Sequence, residues 1–266
     1  MSLFDRLENL LLPAIDRIYA CMPRANPGAV QLKNCRIVAH RGAHQRRGAL
    51  ENTLSAFDAA LEQGVWGIEF DIRWTRDLVP VVIHDPCLQR VFGLPHEVCR
   101  CTLEELTALC PRVPTLADVI LRYGGKLHLM AEIKAEPYPE PRRQSQALSD
   151  LFSGLTPGEE FHLLAIAPDL FRRVPFAPPH ACLPVARLNA AGLSRLSARA
   201  GFAGLAGHYL MVGESIIRQQ HALGRRVGTG YVGSRSVLLR EIRRGVDWVF
   251  TNHAVRVQQI LKQVQP

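Results

Sequence analysis

Seven side chains able to do acid–base, phosphate or metal chemistry stand at the ends of apolar runs in this sequence. Ile37-Val38-Ala39 leads into His40-Arg41-Gly42, and Val81-Val82-Ile83 leads into His84-Asp85. The run Trp66 to Asp71 carries Glu69 and Asp71, and the run Leu129 to Lys134 carries Glu132 and Lys134. Residues two apart on a strand point to the same face, so each of these pairs shares a face. Three carboxylates aimed at one place repel unless a charge offsets them. A hard divalent cation with oxygen ligands does so directly. The competing arrangement pairs Glu69 and Asp71 with Arg73 and Lys134. His40 and His84 can exchange protons near neutral pH and could divide acid and base work, whereas one such histidine alone would be structural. Arg41 offers a forked donor to a phosphate and Lys134 a compact positive charge, a surface ion pair being the plainer use of Arg41. Gly42 lets the backbone approach closely. One metal, two cations and two histidines make a site for a phosphate ester, where developing charge is stabilised electrostatically.

These residues need elements to bring them together. Strand-like runs are predicted at Cys35 to Ala39, Val65 to Ile72, Val79 to Ile83, Leu127 to Ile133, Phe161 to Ile166, Ala181 to Ala186, Val227 to Tyr231 and Val246 to Phe250, with a short one near Gly204. Helical spacing falls between them at Thr53 to Gln63, Leu103 to Leu109, Leu116 to Tyr123, Arg142 to Phe152, Ser215 to Leu223 and Ser236 to Arg244. Asn52 is the expected N-cap of the first and Gly64 its expected stop. Strands alternating with helices argue for a parallel sheet. About eight units point to an α/β TIM (βα)8 barrel, with an open doubly wound sheet as the other outcome. In a barrel the strand ends form one shared mouth, where the seven side chains would meet.

Composition sets the outer bounds. The chain has 266 residues, 47% of them hydrophobic and 21% charged, which suits a folded core and rules out dominant disorder. No apolar run reaches the ~18 residues a membrane-spanning helix needs. The net charge of +8 is concentrated late: from Ser215 onward nine basic residues face only Glu241 and Asp247. A solvated helix face is the plain reading of that excess, and an anionic partner the alternative. The basic end lacks interleaved aromatics, so no nucleic-acid partner is expected. Seven cysteines without a C-x-x-C pair, and no signal-peptide pattern, suggest idle thiols in the cytoplasm.

The series His40-Arg41-Gly42, Glu51-Asn52-Thr53, Glu69-x-Asp71, Thr75-x-Asp77, His84-Asp85 and Glu132-x-Lys134 resembles the glycerophosphodiester phosphodiesterase family. The resemblance is dense from Ile37 to Lys134, thin from Ala135 to Gly224, and returns from Arg225 to Thr251. It implies a barrel that hydrolyses glycerophosphodiesters to glycerol 3-phosphate and an alcohol. By resemblance, Glu69, Asp71 and Glu132 match ligands of a divalent metal, Mg²⁺ or Ca²⁺, His40 and His84 match the catalytic pair, and Arg41 and Lys134 match phosphate contacts. Glu51 matches a supporting polar position. The stretch 85–113 corresponds to a small insertion after the His84 strand. Departures from the family pattern are Leu50 for proline, Leu78 for glycine, Asn252 for aspartate, and Val227 to Tyr231 where an aromatic wall is usual.

The expected activity is metal-dependent phosphodiester hydrolysis with a small-molecule substrate. A lysophospholipase D acting on lysolipids, or a non-catalytic barrel binding module, are the alternatives. Residues 1–34 form an extension before a barrel domain at 35–266. From Ser2 to Met22 the apolar residues fall at helical spacing, with Arg6, Arg17 and Arg24 balanced by Asp5, Glu8 and Asp16. Membrane-surface helices usually carry a basic polar face. The neutral balance therefore favours packing on the outer helices or the closed end of the barrel over peripheral membrane contact, with dimerisation a third use of the face.

Overall fold

The computed structural model describes residues 17–45 and 48–265. Its strands are β1 (Arg36–His40), β2 (Gly67–Trp74), β3 (Pro80–Val82), β4 (His128–Ile133), β5 (Phe161–Ala165), β6 (Cys182–Ala186), β7 (Gly204–His208), β8 (Arg226–Gly230) and β9 (Trp248–Thr251). All except β3 are parallel, and pairing of β1 with both β2 and β9 closes an eight-stranded barrel. The expected third strand differs. β3 runs antiparallel to the end of β2, with Ile72 opposite Val82, and is not a barrel stave. The eighth stave is instead the short run at Gly204–His208, between β6 and β8.

Side-chain alternation sorts each stave into an inner and an outer row. The inner rows place Val38, Met130, Leu164, Leu183, Ala206, Trp248 and Phe250 in one cluster inside the barrel. This plug lies beneath the mouth, because the next inward residues along β1, β2 and β4 are His40, Asp71 and Glu132. Gly228 makes room for it: a Cβ there would come within 2.6 Å of the Phe250 ring. Below the plug, His128 stacks on Trp66 at 4.2 Å, and its Nε2 meets Nδ1 of His162 at 2.7 Å. The outer rows pack against the helices in a larger core, where Phe57 meets both Phe70 and Tyr123. Truncating a buried phenylalanine of this kind costs about 3–5 kcal/mol.

The helix Leu54–Gln63 ends as expected at Gly64, which adopts φ +71°. Its N-cap is not Asn52. Thr53 caps it, accepting from the Ala56 amide, and frees Asn52 for another use. Helices Ala190–Ala200 and Ala254–Val264 complete the outer layer, although neither shows in the sequence reading. The first is rich in alanine and serine around Gly192, so its apolar stripe is thin.

Between β3 and the helix Leu116–Tyr123, residues 85–113 form a lobe with its own small core. Leu88, Val98, Leu106 and Cys110 pack there against Val81 and Ile83. Of the N-terminal extension, residues 1–16 lie outside the described residues. Residues 17–21 are helical, and Tyr19 packs edge-on against Tyr209 with Arg240 over its ring. Further along, Asn26 accepts from Arg235, and Gln31 donates to the Arg243 carbonyl. The described part of the extension thus rests on the outer helix Arg235–Arg244. Among the described residues no helix is long and apolar enough to cross a membrane. All seven cysteines are free.

Candidate active site

Strand register assembles the acidic cluster at the mouth. Glu69 is the lateral partner of His40 across β1 and β2, and Asp71 is the partner of Glu132 across β2 and β4. All four side chains face inward, and the ligand oxygens of Glu69, Asp71 and Glu132 lie within 4.8 Å of one another. Lys134, two residues beyond Glu132, bonds both Asp71 at 2.6 Å and Glu132 at 2.7 Å. Arg73 takes no part in this cluster. It binds Glu136 at 2.7 Å and donates to the His84 carbonyl at 2.7 Å, fixing the backbone where β3 delivers His84.

The charges in the cluster are not balanced one for one. Burial would raise the Asp71 carboxyl, yet Lys134 and Arg41 hold it well below the usual range. Glu69 goes the other way: burial, then the neighbouring Asp71 and Glu132, push its carboxyl well above that range. Glu132 is raised by burial too, against the pull of Lys134. One buried aspartate is thus satisfied by cations, and two glutamates beside it are short of positive charge. That is the environment a divalent cation relieves, and three oxygen donors of this type fit Mg²⁺ or Ca²⁺.

The two histidines differ in what stands behind them. His40 Nδ1 donates to Asn252 Oδ1 at 2.5 Å, so its Nε2 is left bare and faces Glu69 Oε2 at 3.7 Å. Burial, assisted by Arg41, pushes the His40 imidazole down to about 4. His84 Nδ1 donates to Asp85 Oδ1 at 2.6 Å, so a carboxylate orients this ring. Burial lowers His84 as well, opposed by the Asp71 charge. Tyr231, just beyond β8, meets His40 edge-on at 5.7 Å, and thereby brings an aromatic ring to the mouth.

Arg41 sits at φ +56°, a left-handed conformation that turns the chain sharply after β1. Its amide bonds Glu69 Oε2 at 3.1 Å, and its guanidinium reaches Glu51 at 2.9 Å and Asp71 at 3.4 Å. Gly42, at φ +82°, serves helix packing rather than a ligand, since a Cβ there would come within 2.8 Å of Ala56. Asn52 is a site residue that the sequence reading placed elsewhere. It is buried at φ +57°, and its Nδ2 donates to Asp71 Oδ2 at 2.8 Å. Asn252 was likewise visible only as a departure. Counting inward positions along β9 from Trp248 and Phe250 arrives at residue 252, beside β1.

A closed parallel barrel with this constellation at the C-terminal ends of its strands is a TIM-barrel protein with its functional site in the usual position. Residues 40–151 match the glycerophosphoryl diester phosphodiesterase family. It is 37% identical over 111 residues to a glycerophosphodiester phosphodiesterase of Caldanaerobacter subterraneus, covering 37% of this chain and 45% of that relative. It is 30% identical over 121 residues to human glycerophosphodiester phosphodiesterase 1, covering 39% of this chain and 36% of the relative. The matched stretch thus spans less than half the length of either. Solved structures extend the likeness of fold to most of the chain. The glycerophosphodiester phosphodiesterase of Thermotoga maritima superimposes with a TM-score of 0.71 at 23% identity, over 85% of this chain and 97% of that one. An Oleispira antarctica phosphodiesterase, solved in complex with the product sn-glycerol-3-phosphate, gives 0.73 at 21% identity, over 85% and 96%.

Proposed function

We propose that this protein hydrolyses glycerophosphodiesters to glycerol 3-phosphate and an alcohol, with Mg²⁺ or Ca²⁺ as cofactor. The observation that carries this reading is the convergence of Glu69, Asp71 and Glu132 within 4.8 Å, beside two oriented histidines, in the part of the chain that matches the family. Glu69, Asp71 and Glu132 would hold the metal, which when bound supplies positive charge to the phosphate and eases its attack. Arg41 and Lys134 lie at the same mouth and complete the cationic surround.

The partners of the histidines divide their roles. His40 has an uncharged amide behind it and a bare Nε2, so it accepts the proton of the attacking oxygen. His84 has the Asp85 carboxylate behind it, which stabilises the protonated ring, so it gives its proton to the departing alcohol oxygen. The attacker is water or the neighbouring glycerol hydroxyl, the latter through a cyclic phosphate. Tyr231 stands beside His40 as an aromatic surface for the substrate. The unpaired thiols suit a reducing compartment, and we place the protein in the cytoplasm.

The test is phosphomonoester release from glycerophosphocholine, glycerophosphoethanolamine and a lysolipid, each with and without metal, read through a phosphatase couple. Release from the first two that requires metal supports the reading. Release from the lysolipid alone would assign a lysophospholipase D, and no release from any would leave a binding module.

A further inference from the structure

We propose that Arg90, from the 85–113 lobe, is a positioning residue that holds His84 in its working orientation. This rests on the reading of His84 as the proton donor. The Arg90 guanidinium lies between two carboxylates and uses all three of its nitrogens. Nε and Nη2 bond Asp85 at 2.5 and 3.1 Å, and Nη1 and Nη2 bond Glu51 at 3.0 and 2.6 Å. Each carboxylate ends on a site residue: Asp85 on His84 Nδ1 at 2.6 Å, and Glu51 on Arg41 at 2.9 Å. An unbroken line of alternating charge therefore runs Arg41–Glu51–Arg90–Asp85–His84 along the mouth.

The backbone that carries Arg90 is itself anchored. Leu88 is fully buried in the core of the lobe, and its amide bonds the His96 carbonyl at 2.9 Å. A surface ion pair in this position would matter little, since water and salt screen exposed pairs. Arg90 is half exposed, but its partners are not, at 14% for Glu51 and 22% for Asp85. Forked geometry on both sides restricts Asp85 to one rotamer, and through it the tautomer and plane of the His84 ring. Burial would raise both carboxyls, yet Arg90 helps to hold each of them at about 2, so the line stays charged near neutral pH.

Arg90→Met tests this on two independent readouts. Misplacement of a reacting group by about 1 Å can cost ~10²-fold in rate, so a fall in kcat of about 10- to 100-fold with KM changed less than about 3-fold is expected. In an Asp85→Asn background the same change should cost less than about 3-fold, because the relay is already cut. Millimolar guanidinium chloride, against a NaCl control, should restore part of the loss, since the site is open to solvent. The second readout needs no turnover: the nitrogen-15 imidazole spectrum of His84, assigned with His84→Gln. Wild type should keep Nδ1 protonated in both the neutral and the charged ring, so that only Nε2 exchanges a proton, and Arg90→Met should mix the two tautomers of the neutral ring. An unchanged His84 spectrum overturns the proposal whether or not the protein hydrolyses glycerophosphodiesters. A shifted spectrum in a protein without that activity keeps the positioning role and removes only the reaction. Equal loss of kcat in both backgrounds would make Arg90 a structural residue and overturn the proposal too.

Discussion

Asn252→Asp places a carboxylate behind His40 without changing the shape of the site. His40 now has an uncharged partner at 2.5 Å and is pushed by burial to about 4. A carboxylate in the same place would put its charge about 4 Å from the imidazolium charge, which at an effective dielectric near 20 is worth about 4 kcal/mol, or roughly three pKa units, as an upper bound. Arg41 and solvent at the mouth screen part of this, and a rise of ~1–2 units remains. The sign follows from the charge, because a carboxylate favours the protonated ring and so raises the His40 pKa. If His40 must be neutral to accept a proton, the acid limb of kcat/KM moves up by the same amount. The variant should then lose activity near pH 5–6 and keep it near pH 8. The assay is the pH profile of wild type and variant at one saturating metal concentration, so that any effect of the metal on His40 is common to both. His44 also lies against Asn252, so the profile is repeated in a His44→Gln background. Superimposable acid limbs would refute the assignment of His40 as the base.

Three further outcomes follow from the same geometry. Metal should stabilise the wild type by about 2.7 kcal/mol at a hundred times its Kd, and Glu69→Gln should abolish that rise in Tm, while leaving the chelated protein no less stable than chelated wild type because a crowded carboxylate has gone; calorimetry with and without chelator reads both. His40→Ala and His84→Ala should each lower kcat by about 10²-fold or more, and their combination should cost less than the product of the two, since they serve one reaction; stopped and continuous assays of the three variants decide it. Burial lowers both His128 and His162, so the folded state resists protonation that the unfolded chain accepts. The His128 contribution is complete above about pH 6.5 and is lost as pH falls toward about 3, at about 1.4 kcal/mol per pH unit, and His162 adds a loss of the same sign. Urea unfolding of wild type and His128→Gln between pH 7 and 5 should show a shallower slope in the variant, and equal slopes would contradict it.

Most of the site could be read from the sequence because its residues lie on staves whose alternation is strict. Glu69 with Asp71, and Glu132 with Lys134, needed only the period of two to be placed together. The same rule carried from Trp248 and Phe250 points to Asn252, yet that residue read as a substitution rather than as the partner of His40. Where the chain leaves the staves, local pattern loses its hold. Asn52 and Thr53 are both good N-caps, and only the tertiary demand of Asp71 for a donor decides between them. The run Val79 to Ile83 has the composition of a stave, and nothing local reveals that it folds back along β2. The reversal at Leu78, at φ +63°, is made by a residue with a Cβ where the family usually has glycine, so the turn signal itself is missing. The link from Arg90 to His84 depends on where the lobe docks, which no spacing encodes. Ala190–Ala200 lacked a strong apolar stripe because small residues suffice where a helix lies close to the barrel.

The proposed reaction at this mouth cleaves a glycerophosphodiester on the alcohol side with the help of a divalent metal. Phosphorus-31 NMR of glycerophosphocholine incubated with the protein reads that cleavage, because the two ways of breaking the diester leave different monoesters. A single new resonance from glycerol 3-phosphate is expected, absent in chelator and restored by Mg²⁺ or Ca²⁺. Phosphocholine as the product, or glycerol 3-phosphate formed equally by the chelated protein, would contradict it.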